Sequence, residues 1–202
     1  MTKQYQVTNP LQGLIAKASV SLPQKTGAVQ RAQERIDRVS GGSTAVLADV
    51  SGSMASPAWG GRSKHSLLRD AITSTFRPGQ HELLAFSSRV QRLTNPAMLP
   101  EPGGGTALHL ALQGALELNP GRILLISDGE PDDESAALAV ATRFPGVIDV
   151  LYIGPDSNAA AMRFLRTLAM AGHGRYHGSD IARVGQPSLT NTIQHLLAGP
   201  RT

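Results

Sequence analysis

The chain has no cysteine. Disulfides and thiolate-bound zinc are therefore excluded, and a reducing compartment is permitted. Aromatic residues are scarce, at 4% against a hydrophobic fraction of 41%, so a core has to be built from Ala, Leu, Ile and Val. No apolar run approaches the ~20 residues that a membrane-spanning helix needs. The first residues, Met1-Thr-Lys-Gln-Tyr-Gln, contain no apolar signal region. The expectation is a soluble, cytoplasmic protein with no membrane partner. A basic run is missing as well. The net charge is +4 and Arg far outnumbers Lys, but the arginines are scattered. Nucleic-acid binding usually shows a basic run or a basic helix face, so a nucleic-acid-associated role would rest on the overall charge alone.

Several catalytic patterns are also lacking. There is no Gly-x-Ser-x-Gly nucleophile elbow. Neither Gly103-Gly-Gly-Thr106 nor Gly60-Gly-Arg-Ser-Lys64 fits the Gly-x-x-x-x-Gly-Lys-Ser/Thr phosphate loop. His173 and His177 stand four apart, a helical metal spacing, but Gly172, Gly174 and Gly178 surround them and favour a turn and strand.

What is present is an alternation of strand-like and helix-like segments. Residues 44–49 and 122–128 are apolar without alternation, as in strands covered on both faces. Residues 147–154 and 174–178 read as further strands. Segments 81–87 and 89–93 are joined too tightly for a helix and should form an antiparallel hairpin. Helices are expected over 63–76, 106–118, 132–143, 157–171 and 189–197, the second stopped by Asn119-Pro-Gly121. Asp132, Asp133 and Glu134 would open the third in a solvated first turn. This order implies an α/β fold, doubly wound, with a mostly parallel sheet, helices on both faces and one antiparallel edge hairpin. Residues 1–42 read as a partly helical extension, with a short turn around Leu11–Ala18 and an amphipathic helix over 26–39. Residues 43–202 form the expected domain.

The most informative run is Asp49-Val-Ser51-Gly-Ser53-Met54, directly after the first strand. A carboxylate and two hydroxyls stand at alternate positions. Hard oxygen donors of low total charge suit a small hard cation such as Mg²⁺. Two later residues have matching chemistry: Thr106 after three glycines, and Asp128 at the end of Ile123-Leu-Leu-Ile-Ser-Asp128. In this order Asp49, Ser51, Ser53, Thr106 and Asp128 resemble the metal-ion-dependent adhesion site (MIDAS) of von Willebrand factor A (vWA) domains. The similarity runs from about residue 43 to about residue 198. The Ser-Gly-Ser-Met and Ser-Asp-Gly-Glu-Pro variants (residues 51–54 and 127–131) are most similar to the bacterial intracellular branch, whose members are often coupled to MoxR-type AAA+ ATPases.

The resemblance implies a Rossmann-like vWA fold and a Mg²⁺ ion, with Mn²⁺ or Ca²⁺ as alternatives. It implies Ser51 and Ser53 as direct ligands, Thr106 direct or through water, and Asp49 and Asp128 acting mainly through water or by orienting the hydroxyls. It also implies that the strands bearing Asp49 and Asp128 are neighbours. An ion only partly neutralised by water-separated carboxylates stays electrophilic, and an open position on it favours an Asp or Glu of a partner protein. The resulting expectation is a non-enzymatic interaction module, and an adaptor for an AAA+ ATPase is one form of it. The rival is a metal-dependent phosphohydrolase. Such a site usually supplies a general base or second metal, and Glu130 is the only nearby candidate. The three glycines before Thr106 read as a flexible approach. Trp59, the single tryptophan, is either an exposed contact anchor or a buried space-filler.

Overall fold

In a computed structural model, the structure describes residues 27–198. The chain divides into two compact units after Glu34, within the first helix, α1 (Gly27–Gly41). Val29 and Ile36 of this helix are exposed. The turn expected around Leu11–Ala18 lies outside the described residues. All that follows concerns the unit beginning at Arg35.

Its elements follow in the order β1 (Thr44–Asp49), α2 (Lys64–Thr75), β2 (His81–Phe86), β3 (Val90–Leu93), α3 (Leu108–Glu117), β4 (Arg122–Ser127), α4 (Glu134–Arg143), β5 (Val147–Tyr152), α5 (Ala159–Ala171), β6 (Tyr176–Gly178) and α6 (Ile181–Ala198). One six-stranded sheet has the spatial order β3-β2-β1-β4-β5-β6. Every pairing is parallel except β2 with β3. The antiparallel pair is the expected edge hairpin. Among the described residues, no helix is long and apolar enough to cross a membrane.

Alternation along each strand builds two cores. Ala45, Leu47, Ile123, Leu125, Ile148 and Val150 face one side and pack with α3, α4 and α5. Val46, Ala48, Leu124, Ile126 and Leu151 face the other and pack with α2 and α6. Both sets are completely buried, which is why the strands show no polar face in sequence. One exception is Asp149 in β5. Its Oδ1 accepts the Arg175 N–H at 2.9 Å, and Arg122 Nε lies 3.5 Å from its Oδ2.

Side-chain caps open α2, α4 and α5. Ser63 Oγ accepts the Ser66 N–H and opens α2. Asp133 accepts the Ala136 N–H and opens α4, so only Glu134 stands in its first turn. Asn158 does the same for α5, and Gly172 closes it. α3, α4 and α5 each begin two residues later than expected, and α6 departs furthest. α3 begins at Leu108 because Ala107, with ψ 60°, is not helical. α6 begins eight residues before Leu189, at Ile181, and is interrupted at Gly185 (φ 75°, ψ 175°), with Pro187 just beyond. Gly185 is a kink that separates two helical segments, one on either side of it. A Cβ on Gly185 would lie 2.8 Å from the Trp59 indole. Trp59 therefore sits over the interruption while remaining 43% exposed, part seated and part surface.

β1 is central and carries core residues on both faces. Leu47→Ala should destabilise the protein by about 3 kcal/mol through lost burial and a residual cavity. That would be read as a lower urea midpoint; an unchanged midpoint would contradict the two-sided core.

Candidate metal centre

β1 and β4 are adjacent and parallel, with Ala48 opposite Ile126. The chain leaves β1 toward β2 on one side, whereas β4 continues to β5 on the other, so strand order reverses between them. Loops beyond the carboxyl ends diverge at such a point and leave a crevice. Asp49 is the last residue of β1, and Asp128 follows the last residue of β4. Both carboxylates are thereby delivered to the same crevice.

Hydrogen bonds fix them there. Asp49 Oδ1 accepts the Ser51 N–H at 2.7 Å, and its Oδ2 accepts the Ser127 hydroxyl at 2.6 Å. Ser51 Oγ and Ser53 Oγ are 3.1 Å apart. The Ser53 hydroxyl donates to Asp128 Oδ1 at 2.6 Å. Asp128 Oδ2 accepts from Lys64 Nζ, also at 2.6 Å. Asp49, Ser51 and Asp128 are buried, whereas Ser53 is exposed. The cluster thus opens to solvent on the Ser53 side.

The Thr106 loop is laced to the same turn through backbone. The Gly52 N–H donates to the Gly104 carbonyl at 3.1 Å, and the Gly103 N–H to the Val50 carbonyl at 2.9 Å. Thr106 itself is buried. Its N–H donates to Asp132 Oδ1 at 2.9 Å, and its carbonyl accepts the Asp132 N–H at 3.0 Å. Asp132, although exposed and just ahead of α4, is therefore tied to the Thr106 loop. The glycines have a more specific reason than flexibility. Gly104 adopts φ 77°, where a side chain is strained, and a Cβ on Gly105 would lie 2.6 Å from Asp132 Oδ2.

The donor set is rich in hydroxyls and poor in charge. Among the described residues, no three His, Cys, Asp or Glu side chains gather as a metal cluster. His173 lies just past α5 at φ 58° and His177 lies in β6, so they do not share a helix face. Two carboxylates with hydroxyls between them fit a hard cation that retains water better than zinc. Both oxygens of each carboxylate already accept protein donors, which suits a role in orienting hydroxyls. Burial pushes the Asp49 carboxyl up to about 6; the bonds from Ser127 and Ser51 oppose this, and the charge of Asp128 adds to it.

Sequence reasoning missed Ser127, Lys64 and Asp132. Ser127 had a local signal, a hydroxyl at the end of an apolar strand opposite the end of β1. The other two reach the site from helix beginnings far along the chain and had none.

No protein-family model matches the chain, and no curated protein is significantly similar to it. Solved structures do match in fold. Manganese-loaded TRAP protein of Plasmodium vivax superposes with a TM-score of 0.55 at 18% identity, over 77% of this chain and 72% of that one. The three N-terminal domains of Mfa5, the type V pili tip protein of Porphyromonas gingivalis, superpose with a TM-score of 0.53 at 12% identity, over 76% of this chain and 48% of that one. The fold is that of a vWA domain. In this vWA fold, the acidic crevice lies at the reversal of strand order.

The raised Asp49 value has a consequence for stability. It lies above the ordinary 3.8, so the metal-free native state binds an extra proton, and stability from this group is lost as pH rises from 3.8 to about 6. Asp49→Asn removes the ionisation. Its stability relative to wild type, measured by urea unfolding in EDTA, should improve across that interval and stay level above it. A difference independent of pH would contradict the buried-charge account.

Proposed function

We propose that this chain is a non-enzymatic interaction module that holds a divalent cation, Mg²⁺ in the cell, and uses it to bind an acidic residue of a partner protein. The observation that carries this reading is the convergence of Asp49, Ser51, Ser53 and Asp128 in one hydrogen-bonded crevice at the ends of adjacent strands. Ser51 and Ser53 supply direct hydroxyl ligands, and Thr106 supplies a third, directly or through water. Asp49 holds the turn that presents Ser51, and Asp128 orients the Ser53 hydroxyl. Mn²⁺ and Ca²⁺ would occupy the same oxygen set. The manganese-loaded state of the TRAP neighbour is consistent with a divalent ion in this fold.

The bound ion supplies a Lewis-acidic position facing solvent. The chain's own residues set its charge: two carboxylates counter the ion only in part, which favours an anionic oxygen from outside. An Asp or Glu side chain is the simplest such group on a protein. The serine-rich variants of the motif favour a bacterial, cytoplasmic module working as an adaptor for a MoxR-type AAA+ ATPase. Residues 43–202 would form the module, and residues 1–42 an extension to it.

Replacing Ser51 and Ser53 together by Ala deletes two proposed ligands without disturbing the core. Calorimetric titration with Mg²⁺ or Mn²⁺ should show one site in the wild type and none in the double variant. Undiminished binding in the variant would sink the assignment.

A further inference from the structure

The crevice already contains a cation of its own. Lys64 Nζ lies 2.6 Å from Asp128 Oδ2, with the lysine side chain 12% exposed and the aspartate side chain fully buried. The position of Lys64 is unusual on local grounds. It is the first residue of α2, where the exposed N–H groups and the helix dipole disfavour positive charge. Nothing in the helix itself explains a buried ammonium there; the Asp128 carboxylate does. The other oxygen of that carboxylate accepts the Ser53 hydroxyl. One carboxylate therefore bridges a proposed metal ligand and an ammonium, and an ion seated beside Ser53 would lie within a few ångströms of that ammonium.

We propose that Lys64 is a tethered cation that competes with the divalent ion at Asp128 and so sets the affinity of the site. This rests on the metal-centre reading above. In the metal-free protein the ammonium neutralises Asp128 and holds the crevice together. Entry of a divalent ion brings positive charge against it, and the flexible lysine stem lets the ammonium withdraw toward solvent. Two carboxylates and one ammonium make the crevice weakly negative, enough to attract a divalent cation but less than the carboxylates alone. The competition concerns charge and not shape, so arginine should preserve it, whereas methionine and glutamine should abolish it.

The test titrates Mn²⁺ calorimetrically into wild type, Lys64→Met, Lys64→Gln, Lys64→Arg and Asp49→Ala, and records thermal unfolding of each with EDTA and with Mn²⁺. Glutamine retains a donor for Asp128 Oδ2 and serves if the methionine variant does not fold. Removing the charge should tighten Mn²⁺ binding about tenfold, the scale of a close charge pair, with Lys64→Arg near wild type. The neutral variants should unfold earlier than wild type in EDTA and recover more on adding Mn²⁺, because an ion bound only to the native state stabilises it. Binding by the neutral variants alone would support the proposal in its strongest form. Equal or weaker Mn²⁺ binding in the neutral variants, with binding lost in Asp49→Ala, would overturn the competition and leave the metal reading standing. If no variant binds Mn²⁺, both fall.

Discussion

The buried carboxylate of Asp49 is the constraint around which the site is arranged. It lies at the end of a central strand, fully enclosed, and its ionised form is tolerable only because donors meet both oxygens. One donor comes from its own turn, the Ser51 N–H, and the other from the neighbouring strand, the Ser127 hydroxyl. The same two bonds therefore satisfy a buried charge, fold the turn that carries Ser51 and Ser53, and tie the end of β1 to the end of β4. A buried charge without such partners would cost several kcal/mol.

From that anchor the rest of the crevice is built by contacts distant in sequence. Ser53 reaches Asp128, Lys64 reaches the other side of Asp128, and Asp132 holds the backbone of Thr106. Ser53 and Lys64 bond to the two oxygens of Asp128, the groups that a hydrated cation would share in the proposed metal reading. On that proposal the arrangement is poised between internal hydrogen bonding and metal coordination. Such sites respond to their occupant, since a ligand shifts an equilibrium by its preference for one of two arrangements.

The sequence was legible where local physics decides. β1 and β4 are short apolar runs ended by Asp49 and Asp128, and no other element suits them. Ser63 and Phe76 bracket α2 as cap residues, and the tight link between β2 and β3 allows only a hairpin. It was illegible where a distant group decides. Thr106 looked like a helix start, yet its N–H is taken by Asp132 and the helix waits until Leu108. The closing helix was expected only from residue 189, yet a helical segment from Ile181 precedes it, ending in a kink at Gly185 against which Trp59 packs. Lys64 lay beside glycines that fail the phosphate-loop spacing, and its actual partner stands 64 residues away. Adjacency of β1 and β4 came from resemblance, because periodicity specifies faces and not neighbours.

The central claim is that the crevice between the ends of β1 and β4 is a cation site. Crystals of the protein grown with Mn²⁺, measured at a wavelength where manganese scatters anomalously, test it most directly. The account predicts one dominant anomalous peak bounded by the hydroxyls of Ser51 and Ser53 and the carboxylate of Asp128. A crevice without a peak, at Mn²⁺ concentrations that saturate calorimetric binding, would contradict it, as would a dominant peak elsewhere on the molecule.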